Sequence, residues 1–270
     1  MNTAPRARSA RAATLAPLLV LLALTAATGP SSAADDPPPE ALAREALASA
    51  GLGFEAGEAT LRMRIDDGRG HALERTLTTR TRIDGDARET RITFTEPADQ
   101  RGVELLTLER GGGEPAQYLW LPALGKATRI AGSALGGKFQ GSDFTFGDLA
   151  RRDVPGRFVA RPAETLGKER ILRVDVLPAE GDGEAAFGRV ELGISERTRA
   201  LVRVAFHDRA GELVRELAVT RLSKVGDRYV PTRLVMSDRR AGSKTTLEVT
   251  RLDPDARFPA TVFAPESLGR

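Results

Sequence analysis

From Ala59 to Leu252 the hydrophobic pattern keeps a period of two, and that restricts the fold more than anything else in the chain. Ala59, Leu61, Met63 and Ile65 alternate with Arg62, Arg64 and Asp66, and the turn Asp67-Gly68 follows. Leu73, Leu77 and Ile83 share one parity and Glu74, Arg80 and Arg82 the other, before the hairpin signal Asp84-Gly85. Ile92 and Phe94 alternate with Arg91, Thr93 and Thr95 until Pro97, and residues 103–109 run up to Gly111-Gly112-Gly113. Residues 171–177, 186–194, 201–207, 213–222, 229–237 and 245–252 repeat the theme, with hairpin loops at 208–211 and 224–227. Successive strand side chains point to opposite faces, so this pattern specifies antiparallel sheet with one apolar and one charged face. The count is about eleven to twelve strands, opening as an up-and-down meander. The fold class is therefore mainly β, with a minor helical part.

The apolar face needs a cover, and few helices are available to provide one. Residues 41–52 read as a helix with Leu42, Ala46, Leu47 and Ala50 as its apolar stripe and Gly51 and Gly53 as its stop. Residues 144–152 are compatible with a second short helix, after which Pro155-Gly156 resets the chain. Two short helices do not cover such a sheet. Either the sheet folds over on itself or it encloses space, and the helices favour a curved sheet wrapped around a helical plug.

The N-terminus carries export features. Arg6, Arg8 and Arg11 precede an apolar run over residues 15–27, and Ser32-Ala33-Ala34 offers small residues for cleavage. A run of that length is short of the roughly 20 residues that span a bilayer. The expected organisation is a signal peptide at 1–34, a Pro-rich flexible leader at 35–40, a domain at 41–254 and a C-terminal tail at 255–270, packed along the sheet edge or left loose. The chain contains no cysteine, which excludes disulfides and a lipidated lipobox cysteine. Three of the 40 Lys and Arg lie before Ala34, leaving 37 against 37 Asp and Glu in the exported part. The basic balance thus belongs to the leader, and nucleic-acid binding loses its electrostatic basis. A periplasmic, soluble monomer is expected.

Residues 118–149 stand out from the alternating background. The apolar run LWLP leads into the basic strand KATRI, then a Gly/Ser-rich loop, then KFQGSDFTFGDL. Trp120 and three of the chain's ten Phe (Phe139, Phe144 and Phe146) fall here. Aromatics on a loop suit the plug or lip of a hydrophobic space better than ordinary core. LWLPALGKATRI with KFQGSDFTFGDL, and FTEPADQRGVELL at 94–106, resembles the outer-membrane lipoprotein-sorting (LolA-like) carriers, in the branch with an LWLP…GSDF pattern. The resemblance runs over residues 59–251. It implies a half-open β-barrel of about eleven strands whose short helices plug a cavity for a lipid or acyl chain.

On that basis Leu61, Met63, Ile65, Phe94, Leu106 and Trp120 are expected to line the cavity. Phe139, Gly141, Ser142, Asp143, Phe144, Phe146 and Asp148 form the expected lid. Arg101, Lys126, Arg129 and Lys138 are placed to meet a headgroup or a partner; Lys on an edge strand equally serves to prevent sheet-to-sheet pairing, and Arg101 has Asp99 as an alternative partner. The expected function is a periplasmic carrier that passes a lipid or acylated cargo between envelope components. The alternative is a sensor that recognises such ligands without transport. The resemblance also implies an inner-membrane transporter as partner.

Catalytic chemistry is poorly represented. His71 and His207 lie far apart, in patterns unlike metal-ligand pairs, and read as surface histidines. There is no Gly-x-Ser-x-Gly elbow, and Ser133 and Ser142 have no adjacent base. Asp143 and Asp148 form the best acid pair, yet Asp143 reads better as N-cap of the short helix. No catalytic residue, metal or cofactor is expected.

Overall fold

Hydrophobic alternation becomes cross-strand pairing along the length of the domain. The structure, a computed structural model, describes residues 37–48, 56–110, 114–150, 156–178 and 187–270. The expected signal peptide, Asp35 and Asp36 of the leader, the helix stop at Gly51 and Gly53, Ala50, Gly111-Gly112-Gly113, Arg152, Pro155 and Ala186 lie outside the described residues.

Six strands make the first meander: β1 Gly57–Asp66, β2 Ala72–Asp84, β3 Ala87–Glu96, β4 Glu104–Glu109, β5 Ala116–Leu121 and β6 Lys126–Ile130. Seven make the second: β7 Arg157–Leu166, β8 Glu169–Leu177, β9 Arg189–Ser195, β10 Leu201–His207, β11 Leu213–Val225, β12 Arg228–Asp238 and β13 Ser243–Asp253. All join one 13-stranded sheet in the order β6-β5-β4-β3-β2-β1-β13-β12-β11-β10-β9-β8-β7. Every neighbour is its sequence neighbour except at the centre, where β1 pairs antiparallel with β13. The sheet is open, because β6 and β7 stand at its two edges.

Thirteen strands form against the eleven to twelve expected, and the one missed outright is β7. Its sequence, RFVARPAETL, has Pro162 in the middle and little alternation. Proline lacks an N–H and is tolerated in a sheet on an edge strand or at a bulge. β7 is both: it is an edge, and its register with β8 shifts between Arg161 and Glu164.

Topology also decides what covers the sheet. β6 and β7 are consecutive in the chain yet occupy opposite edges, which in a flat sheet would lie roughly 58 Å apart at about 4.8 Å per strand gap. Curvature shortens that span, helped by register shifts such as the one between Thr60 and Leu61. The connection then passes over the apolar face. It includes 3-10 turns at Gly132–Gly136 and Phe139–Gly141 and the short helix α2, Phe146–Ala150. At the other end α1, Pro39–Ala48, lays Leu42, Ala43, Ala46 and Leu47 on Leu172, Val174 and Val176 of β8 and Leu192 and Ile194 of β9. One face thus carries two covers. Register ties them together, because Val174, Leu192, Val204, Leu217 and Met236 pair in sequence across β8 to β12.

The opposite face is charged. Asp175 accepts Arg161 at 2.6 Å and Arg189 at 3.4 Å, and Glu191 accepts Arg173 at 2.8 Å, Arg203 at 3.3 Å and Arg189 at 3.5 Å. Over β4 and β5 this face is largely apolar instead and is roofed by the C-terminal segment. Phe263 and Leu268 bury against Leu106, with Phe258, Val262, Tyr118 and Trp120 around them. The tail is therefore packed on a sheet face, neither loose nor along an edge. Arg91 and Glu104 anchor it in a two-bond ion pair of 2.8 and 2.7 Å. Arg91 also donates to the carbonyls of Val262 and Ser267, both at 3.1 Å, and Glu104 accepts the Gly269 N–H at 2.9 Å. Gly269 has φ +78° and lies flat on the Trp120 indole, where a Cβ would come within 2.2 Å of ring carbons.

Candidate functional site

The apolar face under the β6–β7 connection brings together most of the residues that the sequence singles out. Leu61, Met63 and Ile65 of β1 point inward with Leu77 of β2, Ile92 and Phe94 of β3, Leu105 of β4, Leu234 and Met236 of β12 and Leu247 of β13. Phe139, Phe144 and Phe146 are buried on them. The Phe139 ring sits 5.5 Å from that of Phe94 and 5.7 Å from that of Phe146, the latter edge-on. Leu106 and Trp120, expected in the same lining, face the other way: their parity places them under the C-terminal segment. A strand turns alternate residues outward, and Leu106 follows the inward Leu105.

Local backbone geometry aims the three rings at the sheet. Gln140 and Gly141 both adopt positive φ, +49° and +73°, which folds residues 139–144 into a tight turn. The Phe139 N–H donates to the Phe144 carbonyl at 2.7 Å, and Ser142 closes the turn by donating from N at 2.9 Å and Oγ at 2.7 Å to the Phe139 carbonyl. The cap of α2 is Thr145, not Asp143. Thr145 N–H donates to Asp148 Oδ2 at 2.7 Å and Asp148 N–H donates to Thr145 Oγ1 at 3.1 Å, a reciprocal capping box.

Asp143 has a different role. Buried, it accepts Ser243 Oγ at 2.5 Å and Thr245 Oγ1 at 2.7 Å, and its own N–H donates to Thr245 Oγ1 at 2.9 Å. It thereby fastens the turn to β13. Lys138 bridges Asp143 at 3.4 Å and Asp238 of β12 at 3.3 Å. Burial works to raise the Asp238 carboxyl, but the Ala241 N–H and the Lys138 ammonium outweigh it and hold the group below the usual carboxylate range. Arg215 of β11 pairs with Asp148, donates to the Asp143 carbonyl at 3.0 Å and lies 5.0 Å over the Phe206 ring. Arg75 of β2 donates to the Gln140 carbonyl and lies 5.8 Å over the Phe94 ring, and desolvation lowers its pKa. Gln117 of β5 donates to the Phe146 carbonyl at 3.1 Å. An apolar underside and a polar rim therefore hold the aromatic segment.

Arg75, Arg215, Gln117, Asp238 and Thr245 were missed by reasoning from sequence. Each sits on the inward parity of its strand, in phase with Leu77, Leu217, Leu119, Met236 and Leu247. A polar residue in inward phase was the signal that would have found them.

Between the two covers the apolar face is only partly shielded. Phe206 and Leu217 touch both clusters, and Val219, Val249 and Leu252 are partly buried beside the aromatic segment. Beside the start of β2 and the end of β3 a cleft of about 370 Å³ opens, lined by Arg62, Arg75, Arg101, Glu74, Thr76 and Glu96 with Pro97 and Ala98. Arg101 donates to the Thr95 carbonyl at 3.1 Å, and Asp99 is instead contacted by Gln100. Lys126 and Arg129 are exposed on β6, away from this cleft. His71 pairs at 2.8 Å with Asp67, whose carboxyl the His71 ring and the Arg69 N–H lower to about 2; His207 lies beside Arg189 at 3.1 Å.

Residues 86–270, more than half of the chain, match a family described as "Uncharacterized protein", and the chain belongs to that family. Its fold is that of the LolA-like outer-membrane lipoprotein-sorting proteins. A DUF1329 family protein from Desulfovibrio piger superposes with a TM-score of 0.75 at 22% identity, over 86% of this chain and 100% of that one. A domain assigned to outer membrane lipoprotein sorting, from Vibrio parahaemolyticus, gives 0.75 at 22%, over 85% and 97%. A LolA superfamily protein from Nitrosomonas europaea gives 0.64 at 16%, over 85% and 98%. No curated protein sequence matches significantly.

Proposed function

We propose that the protein is a carrier that holds a lipid or acylated polypeptide on the apolar face of its sheet and passes it between envelope components. One observation carries this reading: the face is closed over β1–β4 and β12–β13 by an irregular aromatic segment fastened at its rim, not by a continuous structural layer. Such a cover can lift and leave the sheet intact. The expected cavity is the space that the three rings fill when the segment is down. Its lining is Leu61, Met63, Ile65 and Phe94, extended by the half-shielded Val219, Val249 and Leu252.

Energetics favour exchange over detachment. Each methylene removed from water contributes about 0.8 kcal/mol, so an acyl chain of about 15 methylenes carries on the order of 12 kcal/mol. A chain leaves a membrane only for another apolar surface, and the sheet supplies one. The rings and the acyl chain compete for the same surface, so displacing the rings costs burial that the chain restores. Most rim hydrogen bonds involve a charged group and contribute about 1.5–3 kcal/mol each net, a cost that the bound chain helps to offset. The covering residues, Phe139, Gly141, Ser142, Asp143, Phe144, Phe146 and Asp148, act together as the lid. No helix among the described residues is long and apolar enough to cross a membrane. In this account the chain enters the periplasm through cleavage of residues 1–34 and receives cargo from an inner-membrane partner.

The test is extraction of a fluorescent long-chain lipid from vesicles, with protein and vesicles separated by flotation. The wild type is expected to recover labelled lipid in the soluble fraction. Phe144→Asp places a charge under the cover and is expected to abolish recovery. Unchanged recovery by this variant would remove the lid from the account, and no recovery by the wild type would remove the carrier.

A further inference from the structure

We propose that the free edge of β6 is a docking strand for an extended, acidic segment of a partner protein, which adds to the sheet by backbone pairing. The inference deepens the carrier reading, since it supplies the place where a donor or acceptor engages. The two edges of the sheet differ in a way that points to this. β7 is blocked: Pro162 removes a donor and a register shift breaks its line between Arg161 and Glu164. β6 is KATRI, with no proline and an unbroken register against β5 from Lys126 to Ile130. Its first four residues are exposed, and no backbone bond outside the sheet ladder engages it among the described residues. A strand with one side unpaired presents a row of N–H and C=O groups, the template that added strands use.

Charge selects the occupant. Lys126 and Arg129 form no ion pair among the described residues, on a chain whose arginines are otherwise extensively paired across strands. They are three apart, so they project from opposite faces of the edge. A complementary strand carries acidic residues three apart, one opposite each cation. A second copy pairing edge to edge would instead bring Lys126 and Arg129 of both copies into one short ladder, which like charges oppose. Leu124, 57% exposed in the turn that leads into β6, offers an apolar contact beside the strand. From Ile130 the chain runs directly into the segment that carries Phe139, so the docking strand adjoins the cover.

Selection of a displayed random decapeptide library on the intact, lipid-free exported protein tests this. Enriched peptides are expected to be extended in pattern with acidic residues three apart, and chemical-shift changes on binding to centre on residues 126–130. Lys126→Glu with Arg129→Glu, which leaves the backbone untouched, is expected to weaken binding by about tenfold or more. Neighbouring strand N–H groups point to opposite edges, so one of Ala127→Pro and Thr128→Pro removes an outward donor; at least one variant that melts as the wild type should lose binding. Failure to enrich any peptide, enrichment without acidic bias, binding indifferent to the charge reversal, or a dimer that the reversal strengthens would each overturn the proposal. Lipid is absent from the assay, so a protein that carries no lipid would still give a clear answer here.

Discussion

At the scale of single residues, two buried interactions carry weight out of proportion to their size. Arg91 and Glu104 are paired under the C-terminal segment with side chains 8% exposed each. Removing one partner leaves a buried charge unmatched, at a cost of about 3–5 kcal/mol. Glu104→Ala is therefore expected to lower stability on that scale in urea denaturation and to make residues near 260 newly sensitive to protease. An unchanged midpoint and an intact tail would show that the pair anchors nothing. Replacing both partners, as Arg91→Met with Glu104→Leu, should recover most of the loss, since the desolvated charges go together. Phe139, 1% exposed between Phe94 and Phe146, is the second case. Phe139→Ala removes the centre of the aromatic stack and is expected to cost about 3 kcal/mol in the lipid-free protein. Added lipid should restore part of that loss by filling the space. A loss that lipid leaves unaltered would mean that the ring is core and not cover.

At the scale of elements, the strands carry carboxylates whose ionisation supports the fold. Burial works to raise Glu216, but hydrogen bonds from Arg239 and Arg203 outweigh it and leave it lowered, as Lys138 and the Ala241 N–H do for Asp238. A carboxyl lowered in the fold binds its proton more tightly in the unfolded chain. Its contribution is complete above the ordinary carboxylate pKa, about 4, and is lost as pH falls through the folded value. The urea midpoint should be level near neutrality and decline below about pH 4, by on the order of 1 kcal/mol or less per group at these partly exposed sites. Asp238→Asn and Glu216→Gln should flatten that decline, and a midpoint that rises on acidification would contradict the assignment. The same elements show what the sequence discloses. β1 was legible from Ala59 to Asp66, because Leu61, Met63 and Ile65 alternate cleanly and one face is buried. β7 was not, because an edge strand has no need of alternation and Pro162 conceals it. The aromatic turn was expected to differ from ordinary core; its three rings are buried in the largest core cluster, and its fastening was not legible. Asp143 finds Ser243 and Thr245 about a hundred positions away, and only the β1–β13 closure brings that end of the sheet under it. Leu106 and Trp120 went to the wrong face because apolar character alone does not say which face of the sheet a residue roofs.

At the scale of the whole molecule, the order of strands explains why a cover exists. The chain starts and finishes its sheet at the centre and must cross from one edge to the other between β6 and β7. That crossing lays Phe139, Phe144 and Phe146 on the apolar face, while α1 covers the far end and Phe206 and Leu217 join the two. The outer face is held by ion pairs and by the C-terminal segment, on the side of the sheet away from the cover. The most direct measurement is native mass spectrometry of the protein, purified without detergent, followed by solvent extraction and identification of what is bound. The account predicts a stoichiometric lipid or acylated polypeptide, with the Phe144→Asp protein recovered free of it. A wild-type protein that is always recovered bare, and that binds no apolar dye on its partly shielded strip, would show that the aromatic segment is permanent core and would contradict the carrier.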